Sequence, residues 1–441
     1  IAQDNEYTFS IDVDLFKPLS SIFRLEVSDD LSDGEWNIFS DADKVVIKVA
    51  RNIKIIQESL TNEKSGKAIL LNSIYFATVM HLIDQIKEDL LLMSAQGFKV
   101  LRTYDVHHKF AENTLESIRQ LQEVDGSFEM YVMLGAWIDC ENSFTDSPNH
   151  NQEDAESNTK EINEAVRLAN KYPEIVKIIA VGNESMVHWA SSYFVLPGVI
   201  LKWVNYLQDL KSSEALPKNL WITSSDNFAS WGGGGSEYHN EDLNSLIEAV
   251  DYISVHTYPF HDTHYNPVFW KLEDKSLLEN KLDAIHHAMK KSVEYQYEQY
   301  QSVKSYIESI GVTKAIHIGE TGWSSVATDL YGDDGTHAAD EYKQAIYFNL
   351  TTELCKSLQI SCFYFSAFDE PWKDSSNEFG SENHFGLFTV EGKAKYALWN
   401  GVDKGTFSGL GRNGKPVEKT YGGNEENLLN RVKAPSAQNM E

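Results

Sequence analysis

The chain has 441 residues, of which 42% are hydrophobic and 24% charged, which is the balance of a folded protein with a sizeable core. Its 38 basic and 66 acidic residues give a formal charge of −28 at pH 7, which excludes nucleic acid as a partner but does not repel a neutral polymer. Three cysteines are too few for a disulfide scaffold, and no apolar run is long enough to span a bilayer.

Residues 1–65 carry no motif, but two stretches of them have strand-like patterns. Residues 7–13 (YTFSIDV) alternate between apolar and polar side chains, and residues 45–49 (VVIKV) are rich in β-branched side chains. We predict an N-terminal extension with some β structure and no assigned function.

Residues 66–403 alternate between short β-branched or aromatic runs and amphipathic stretches, a pattern typical of parallel strands joined by helices. The predicted strands are residues 68–76, 99–106, 128–137, 176–184, 220–226, 250–260, 314–323 and 361–369. The clearest helical stretches are residues 82–96, 154–171, 200–211, 281–310 and 340–358. Eight strands with intervening helices predict an α/β fold of the (β/α)₈ TIM-barrel type. Residues 404–441 are polar with Gly and Pro, and we expect them to wrap the barrel.

Two glutamates stand at the ends of the fourth and seventh predicted strands. Glu184 closes the run IAVGNE, and Glu320 closes the run IHIGE. A carboxylate at the end of a buried strand is costly unless something uses or satisfies it, and a salt bridge to a neighbouring loop is the alternative for either one alone. Because the carboxyl ends of barrel strands converge at one mouth, the pair predicts two facing carboxyl groups, which a retaining glycosidase needs at about 5 Å.

Polar neighbours of these glutamates are suited to binding a sugar. Asn183, beside Glu184, can hydrogen-bond a sugar 2-hydroxyl, a contact that strengthens in the transition state. Arg102 either contacts the sugar directly or ties a carboxylate, Glu184 or Asp105, in place.

Aromatic and histidine side chains complete the candidate site, because sugar rings present apolar C–H faces and polar rims. For His256, His261 and His264 we expect sugar contact or solvent exposure and not metal binding, since no matching fourth ligand accompanies them. The candidate platforms for sugar rings, each with core packing as its alternative, are Trp137, Tyr258, Trp323, Trp372 and Phe385, and for Phe385 core packing is the favoured alternative.

Several runs, in order and at consistent spacing, resemble glycoside hydrolase family 17, the β-1,3-glucanase family, in its bacterial laminarinase form. They are RTYD (102–105), MLGAWID (133–139), VGNE (181–184), SVHTYPF (254–260), IGETGW (318–323), AFDEPWK (367–373) and NHFGLF (383–388). The resemblance implies retaining cleavage of β-1,3-glucosidic bonds in laminarin-type glucan by double displacement, with no metal or other cofactor.

The same resemblance assigns residues to roles. Glu184 falls on the acid/base of the family and Glu320 on its nucleophile. The positions that match residues lining the family's site are Arg102 and Tyr104 on the second strand, Tyr258 on the sixth, and Glu370 and Lys373, the charged pair that holds sugar hydroxyls, on the eighth.

Two other functions stay open: transglycosylation, in which a sugar resolves the glycosyl-enzyme, and a non-catalytic glucan-binding protein, against which two facing carboxylates argue. Long strand-end loops at residues 230–240, 261–279, 326–340 and 374–382 predict a cleft narrowed at one end, which favours cleavage near chain ends or in short unbranched stretches. We expect a monomer that is secreted, periplasmic or attached to the cell surface. The first residue, Ile1, fits a processed secretory protein or a trimmed chain.

Overall fold

The computed structural model describes residues 83–271 and 280–436 in full, together with the backbone of four strands nearer the N-terminus. The chain divides into two compact units, Ile1–Asp84 and Gln85–Glu441. In the first unit the four strands form one antiparallel sheet in chain order. They are β1 (Glu6–Ser10), β2 (Phe23–Asp29), β3 (Glu35–Ser40) and β4 (Lys44–Lys48). The strand predicted at residues 68–76 and the predicted boundary after residue 65 lie outside the described residues.

The second unit is built on a parallel sheet of seven described strands whose two edge strands approach each other, so that the sheet is a nearly closed barrel. In chain order they are β5 (Val100–Arg102), β6 (Tyr131–Ala136), β9 (Val176–Asn183), β10 (Trp221–Asn227), β11 (Ile253–His256), β12 (Ile316–Thr321) and β13 (Cys362–Tyr364). A two-stranded hairpin, β7 (Cys140–Glu141) and β8 (Asn149–Glu153), follows β6, and a second one, β14 (Gly411–Arg412) and β15 (Lys415–Pro416), lies near the C-terminus. The TIM-barrel fold predicted from the strand and helix pattern is confirmed.

Helices follow the strands and begin where the sequence offers caps. Asp154, Asn240 and Asp340 each accept a backbone N–H of the first turn of the helix that they precede, and a proline begins the helix after β9. The helices are α1 (Ile83–Ala95), α2 (Lys109–Val124), α3 (Ala155–Lys171), α4 (Pro197–Ser212), α5 (Glu241–Ala249), α6 (Pro259–Tyr265), α7 (Lys281–Ser309), α8 (Glu341–Leu358), α9 (Trp399–Asp403) and α10 (Glu425–Leu429). Within the described residues, no helix is both long and apolar enough to cross a membrane.

Near the carboxyl ends of the strands, the interior of the barrel is lined by small and polar residues, which leave room for a site. Small residues of β10, β11 and β12 face one another there: a Cβ added at Gly319 would lie 2.0 Å from Ser254 Oγ and 2.7 Å from Ser225 Oγ. The apolar core lies instead between strands and helices, where β9 and β10 contribute fully buried Ile179 and Ile222. The small side chains therefore leave the axis of the barrel open to longer polar side chains that reach in from neighbouring strands.

Candidate active site

Both predicted glutamates stand at the carboxyl ends of barrel strands, and each strand carries one extra residue just before its glutamate. Between β10 and β9, Thr223 pairs with Ala180 but Ser225 pairs with Asn183, and between β11 and β12, Val255 pairs with Ile318 but His256 with Glu320. An extra residue of this kind is a β-bulge, which turns the following side chains to a new direction. The two bulges aim Asn183, Glu184 and Glu320 into the barrel mouth.

The turn that carries Glu184 is strained and tightly held. Glu184 has a φ of 47°, in the left-handed region that side chains other than glycine rarely adopt. Its N–H donates to Ser225 O at 3.0 Å, and Met186 N–H donates to Asp226 Oδ2 at 2.7 Å. Burial raises the pKa of Asp226 to about 6, against the hydrogen bonds from Ser230 and Met186. Asp226 thus holds the turn in place by accepting the Met186 N–H.

Glu320 is buried and accepts hydrogen bonds from three side chains. Arg102 Nη1 lies 2.7 Å and Tyr104 Oη 2.9 Å from its Oε2, while Tyr258 Oη donates to its Oε1 at 2.6 Å. Burial raises the pKa of Glu320, but the charge of the Arg102 guanidinium, the Tyr258 hydrogen bond and the charge of Lys373 oppose burial and hold the pKa below its ordinary value. Glu320 is therefore an ionised and immobile carboxylate, as a nucleophile requires.

His256 connects the two glutamates. Its Nδ1 lies 3.0 Å from Glu184 Oε1, and its Nε2 lies 2.9 Å from Arg102 Nη1 and 2.8 Å from Ser225 Oγ. Because guanidinium nitrogens only donate, the ring proton is on Nδ1 and is donated to Glu184. This leaves Glu184 Oε2 as the oxygen that can carry and transfer a proton.

Arg102 is a structural tie and not a surface group. Its side chain is buried, and besides Glu320 it donates to Gly319 O at 2.9 Å and to Asn183 Oδ1 at 2.5 Å. The tie that the sequence left open is present, but the carboxylate that it holds is Glu320 and not Glu184 or Asp105. Direct contact of Arg102 with a sugar stays a prediction.

Glu370 and Lys373 follow β13, the strand that pairs with the Glu320 strand β12. Lys373 Nζ is 3.7 Å from Glu370 Oε2 and 4.0 Å above the ring of Phe365. Glu370 Oε2 is buried and makes no hydrogen bond within the described residues. Burial and the charge of Glu320 raise the pKa of Glu370 to about 7, against the opposing charge of Lys373. Trp372, between them in sequence, is about half exposed at 48%.

Two predicted sugar contacts need correction. Trp323 is fully buried and packs against Phe260, Trp270 and Tyr347 in the helix layer, with its Nε1 donating to Ala338 O, so it is not a platform. His256 is fully buried as well, because Arg102 and Glu184 cover it, and it acts on the glutamates and not on the sugar. Among the other predicted platforms, Trp137, Tyr258 and Trp372 keep some exposure.

Tyr193 and Asp226 are site residues that the sequence analysis missed. Burial raises the pKa of Tyr193, and the charges of Glu184, Asp226 and Glu320 raise it further. Its ring centroid lies 5.0 Å from that of Trp137. The signal for Asp226 was its place at the end of a predicted strand, whereas Tyr193 lies in a loop and has no such signal.

One group of side chains within the described residues brings three potential metal ligands together. One ligand atom each from Asp105, His107 and His108 lie within 4.8 Å of one another, just after β5. These atoms already bond one another or a carboxylate: Asp105 Oδ1 lies 2.9 Å from His108 Nδ1, and Glu161 Oε2 lies 3.0 Å from His107 Nδ1. None of the three forms a described hydrogen bond or ion pair with Glu184 or Glu320.

A TIM barrel that carries a firmly ionised carboxylate and a second carboxyl group at its strand ends, among aromatic and charged side chains, has the architecture of a glycoside hydrolase. The chain belongs to the BtgE/BtgC glycoside hydrolase domain family, whose profile matches residues 79–386.

Two individual proteins agree with this assignment. An endo-laminarinase from Formosa Hel1_33_131 of known crystal structure is 56% identical to this chain, with a TM-score of 0.79 over 81% of this chain and 91% of that one. A glucan 1,3-beta-glucosidase of Arthroderma benhamiae is 35% identical over 95 residues, which are 20% of this chain. The chain spans only 28% of the length of that second relative.

Proposed function

We propose that the protein hydrolyses β-1,3-glucosidic bonds of laminarin-type glucan with retention of configuration, with Glu320 as nucleophile and Glu184 as acid/base. The observation that carries the proposal is the contrast between the two carboxyl groups: three donors hold Glu320 ionised, whereas Glu184 accepts one hydrogen bond on Oε1 and keeps Oε2 for a proton. The likeness to an endo-laminarinase at 56% identity supports the substrate class.

In the first step Glu320 attacks the anomeric carbon while Glu184 gives its proton to the glycosidic oxygen, so that the bond between these two atoms breaks and a glucosyl-enzyme ester forms. In the second step Glu184 takes a proton from water, the water oxygen attacks the same carbon, and the Glu320 carboxylate leaves. Two inversions restore the starting configuration. Arg102 holds the side chain of Asn183, which is suited to hydrogen-bond the 2-hydroxyl of the reacting sugar.

Within glycoside hydrolases we propose membership of family 17, which the runs around Asn183, Glu320 and Tyr258 support. The long strand-end loops predicted cleavage near chain ends or in short unbranched stretches. The likeness to an endo-laminarinase instead favours cleavage inside the glucan chain, and this is what we propose. Loops after β12 and β13 are bonded to each other, through Thr328 N to Phe379 O and Ser381 N to Asp329 Oδ2, and form a fixed wall on one side of the mouth. Because a glucan polymer does not enter cells, we propose that the protein works outside the cytoplasm.

The test is incubation with laminarin, with lichenan in parallel, followed by sizing of the products over time. Cleavage inside the chain gives a ladder of intermediate oligosaccharides from the first minutes, whereas release of glucose or one short product from the start contradicts it. The variant Glu320→Ser should lose turnover and keep oligosaccharide binding, with exposed Glu248→Gln as the control that keeps full activity. An active Glu320→Ser variant contradicts the assignment of the nucleophile.

A further inference from the structure

An aromatic row leads away from the catalytic pair and ends at an exposed phenylalanine. Trp137, Tyr193 and Phe144 form this row: the ring of Tyr193 lies 5.0 Å from that of Trp137 and 5.4 Å from that of Phe144, to which it is stacked with an interplanar angle of 27°. Trp137 directly follows β6, whose last residue Ala136 pairs with Val181 of β9, the strand that ends beside Glu184. The row is therefore continuous with the site where the bond is cut.

Phe144 is exposed although it is large and apolar. It is 63% accessible, on the turn between the hairpin strands β7 and β8. One face of its ring is covered by Tyr193, so its exposed area includes the opposite face. A pyranose can place its apolar C–H face against such a ring. Binding is then favoured by the apolar area that the ring and the sugar remove from water.

The backbone holds Phe144 in this position at a cost. Its φ is 58°, a conformation that is strained for a bulky side chain. Its N–H donates to Ser192 O at 2.8 Å, and Cys140 N–H donates to Tyr193 O at 3.2 Å, so the hairpin is bonded to the loop that carries Tyr193. The ring is thus presented by a built and anchored turn and not by a loose loop.

We propose that Phe144, supported by Tyr193, is a binding subsite for a β-linked glucosyl unit of the glucan other than the unit being cleaved. This inference rests on the proposed function and adds a specificity to it, namely a preference for longer chains. Asp139, which accepts from Trp137 Nε1 at 2.5 Å, supplies a carboxylate beside the row that suits the hydroxyl rim of a sugar.

Kinetics on a series of β-1,3-gluco-oligosaccharides of increasing length test the subsite. For Phe144→Ala we expect kcat/KM to equal that of the wild type on the shortest cleaved oligosaccharide and to fall by about tenfold on the longest, through KM, while Phe144→Trp keeps the wild-type length dependence. The matched control is Trp221→Ala, which removes an aromatic that is 49% exposed at the amino end of β10, where the opposite end of the barrel lies. A ratio between wild type and Phe144→Ala that does not change with length overturns the inference.

Binding separates this inference from the proposed function. Titration of a long β-1,3-gluco-oligosaccharide into Glu320→Gln, and into the same protein with Phe144→Ala, should give a Kd about tenfold higher for the second. Equal Kd values overturn the subsite whether or not the wild type hydrolyses laminarin. A wild type that binds through Phe144 but cuts no β-1,3-glucan would instead overturn the proposed function alone.

Discussion

Glu184 and Glu320 are the same amino acid in two surroundings, and the difference lies in the number and charge of the donors around each. Glu320 has a guanidinium and two phenol hydroxyls, whereas Glu184 has a single imidazole N–H in a described hydrogen bond. Hydrogen bonds and positive charge favour an ionised carboxylate, so the surroundings alone divide the roles between them.

Tyr258→Phe tests the contribution of one donor. Removing the hydroxyl that donates to Glu320 Oε1 raises the pKa of Glu320, so the acid limb of the kcat/KM profile should move to higher pH. A hydrogen bond to a charged group stabilises by about 1.5–3 kcal/mol, so we expect kcat to fall by about 10- to 100-fold. The control is Tyr252→Phe, whose hydroxyl lies against Met133 Sδ, away from the pair. Identical profiles for both variants would contradict this assignment of the Glu320 environment.

Glu370→Gln tests the buried carboxyl group. The folded-state pKa of Glu370, about 7, lies above its ordinary value of 4.5, so its stabilising contribution is complete below about pH 4.5 and is lost as pH rises through 7. The free energy of unfolding should therefore fall by up to about 3 kcal/mol over this range in the wild type, and by less in Glu370→Gln. Urea unfolding of both proteins at pH 5 and pH 7.5 measures the difference. Parallel pH dependences would show that Glu370 is ionised throughout.

Sequence patterns predicted most of the polar groups that meet in the site, because strand ends in a barrel converge whatever their spacing along the chain. They did not predict which way each side chain points. Trp323 lies two residues after Thr321, whose hydroxyl bonds that of Tyr347 in the helix layer. Both side chains therefore point out of the barrel towards the helices. His256 points inward but lies beneath longer side chains. Facing and depth both depend on tertiary packing, which local patterns do not encode.

Among the secondary-structure elements, β9 and β12 matter most, because a bulge precedes the glutamate in each. The pattern of β-branched residues predicted both strands and the helices between them, since burial sets that pattern. The bulges and the hairpin of β7 and β8 were not predicted. The bulges fall beside Gly182 and Gly319, and the hairpin strands are short and mostly polar (CE and NHNQE). A change of one residue in register leaves no periodic signal.

Gly182→Ala tests the bulge before Glu184. Gly182 has a φ of 80°, and an added Cβ would lie 2.7 Å from Ser185 Oγ. The control is Gly311→Ala, where φ is 77° and nothing lies within 4 Å of the added Cβ. Both variants should lose about 1–3 kcal/mol of unfolding free energy because the left-handed backbone is strained. Only Gly182→Ala should also lose kcat, by more than about tenfold, and equal kcat values would contradict a role of the bulge in aiming Glu184.

The molecule as a unit carries a formal charge of −28, and this sets how salt affects its stability. Repulsion among excess like charges opposes the compact state and is screened by ions. We expect the midpoint temperature of unfolding to rise by several degrees between 0.02 and 0.5 M NaCl, measured by differential scanning fluorimetry and repeated with KCl. A falling midpoint would mean that attractive ion pairs outweigh the repulsion.

The barrel fold could be predicted from the sequence because seven described strands and their helices repeat one simple pattern of burial. The strand predicted at residues 68–76 stays a prediction, as it lies outside the described residues. The wall of bonded loops on one side of the mouth depends on contacts between segments distant in sequence, such as Thr328 with Phe379, and sequence patterns do not reveal these.

Trapping the glucosyl-enzyme tests most directly whether Glu320 forms a covalent bond with the glucan. Incubation with an activated 2-deoxy-2-fluoro β-1,3-linked glucobioside slows the second step and should trap the glucosyl-enzyme, and peptide mass spectrometry should locate the added sugar on Glu320. We expect one adduct on Glu320 in the wild type and none in Glu320→Gln. An adduct on another residue, or turnover with inverted configuration and no adduct, would contradict it.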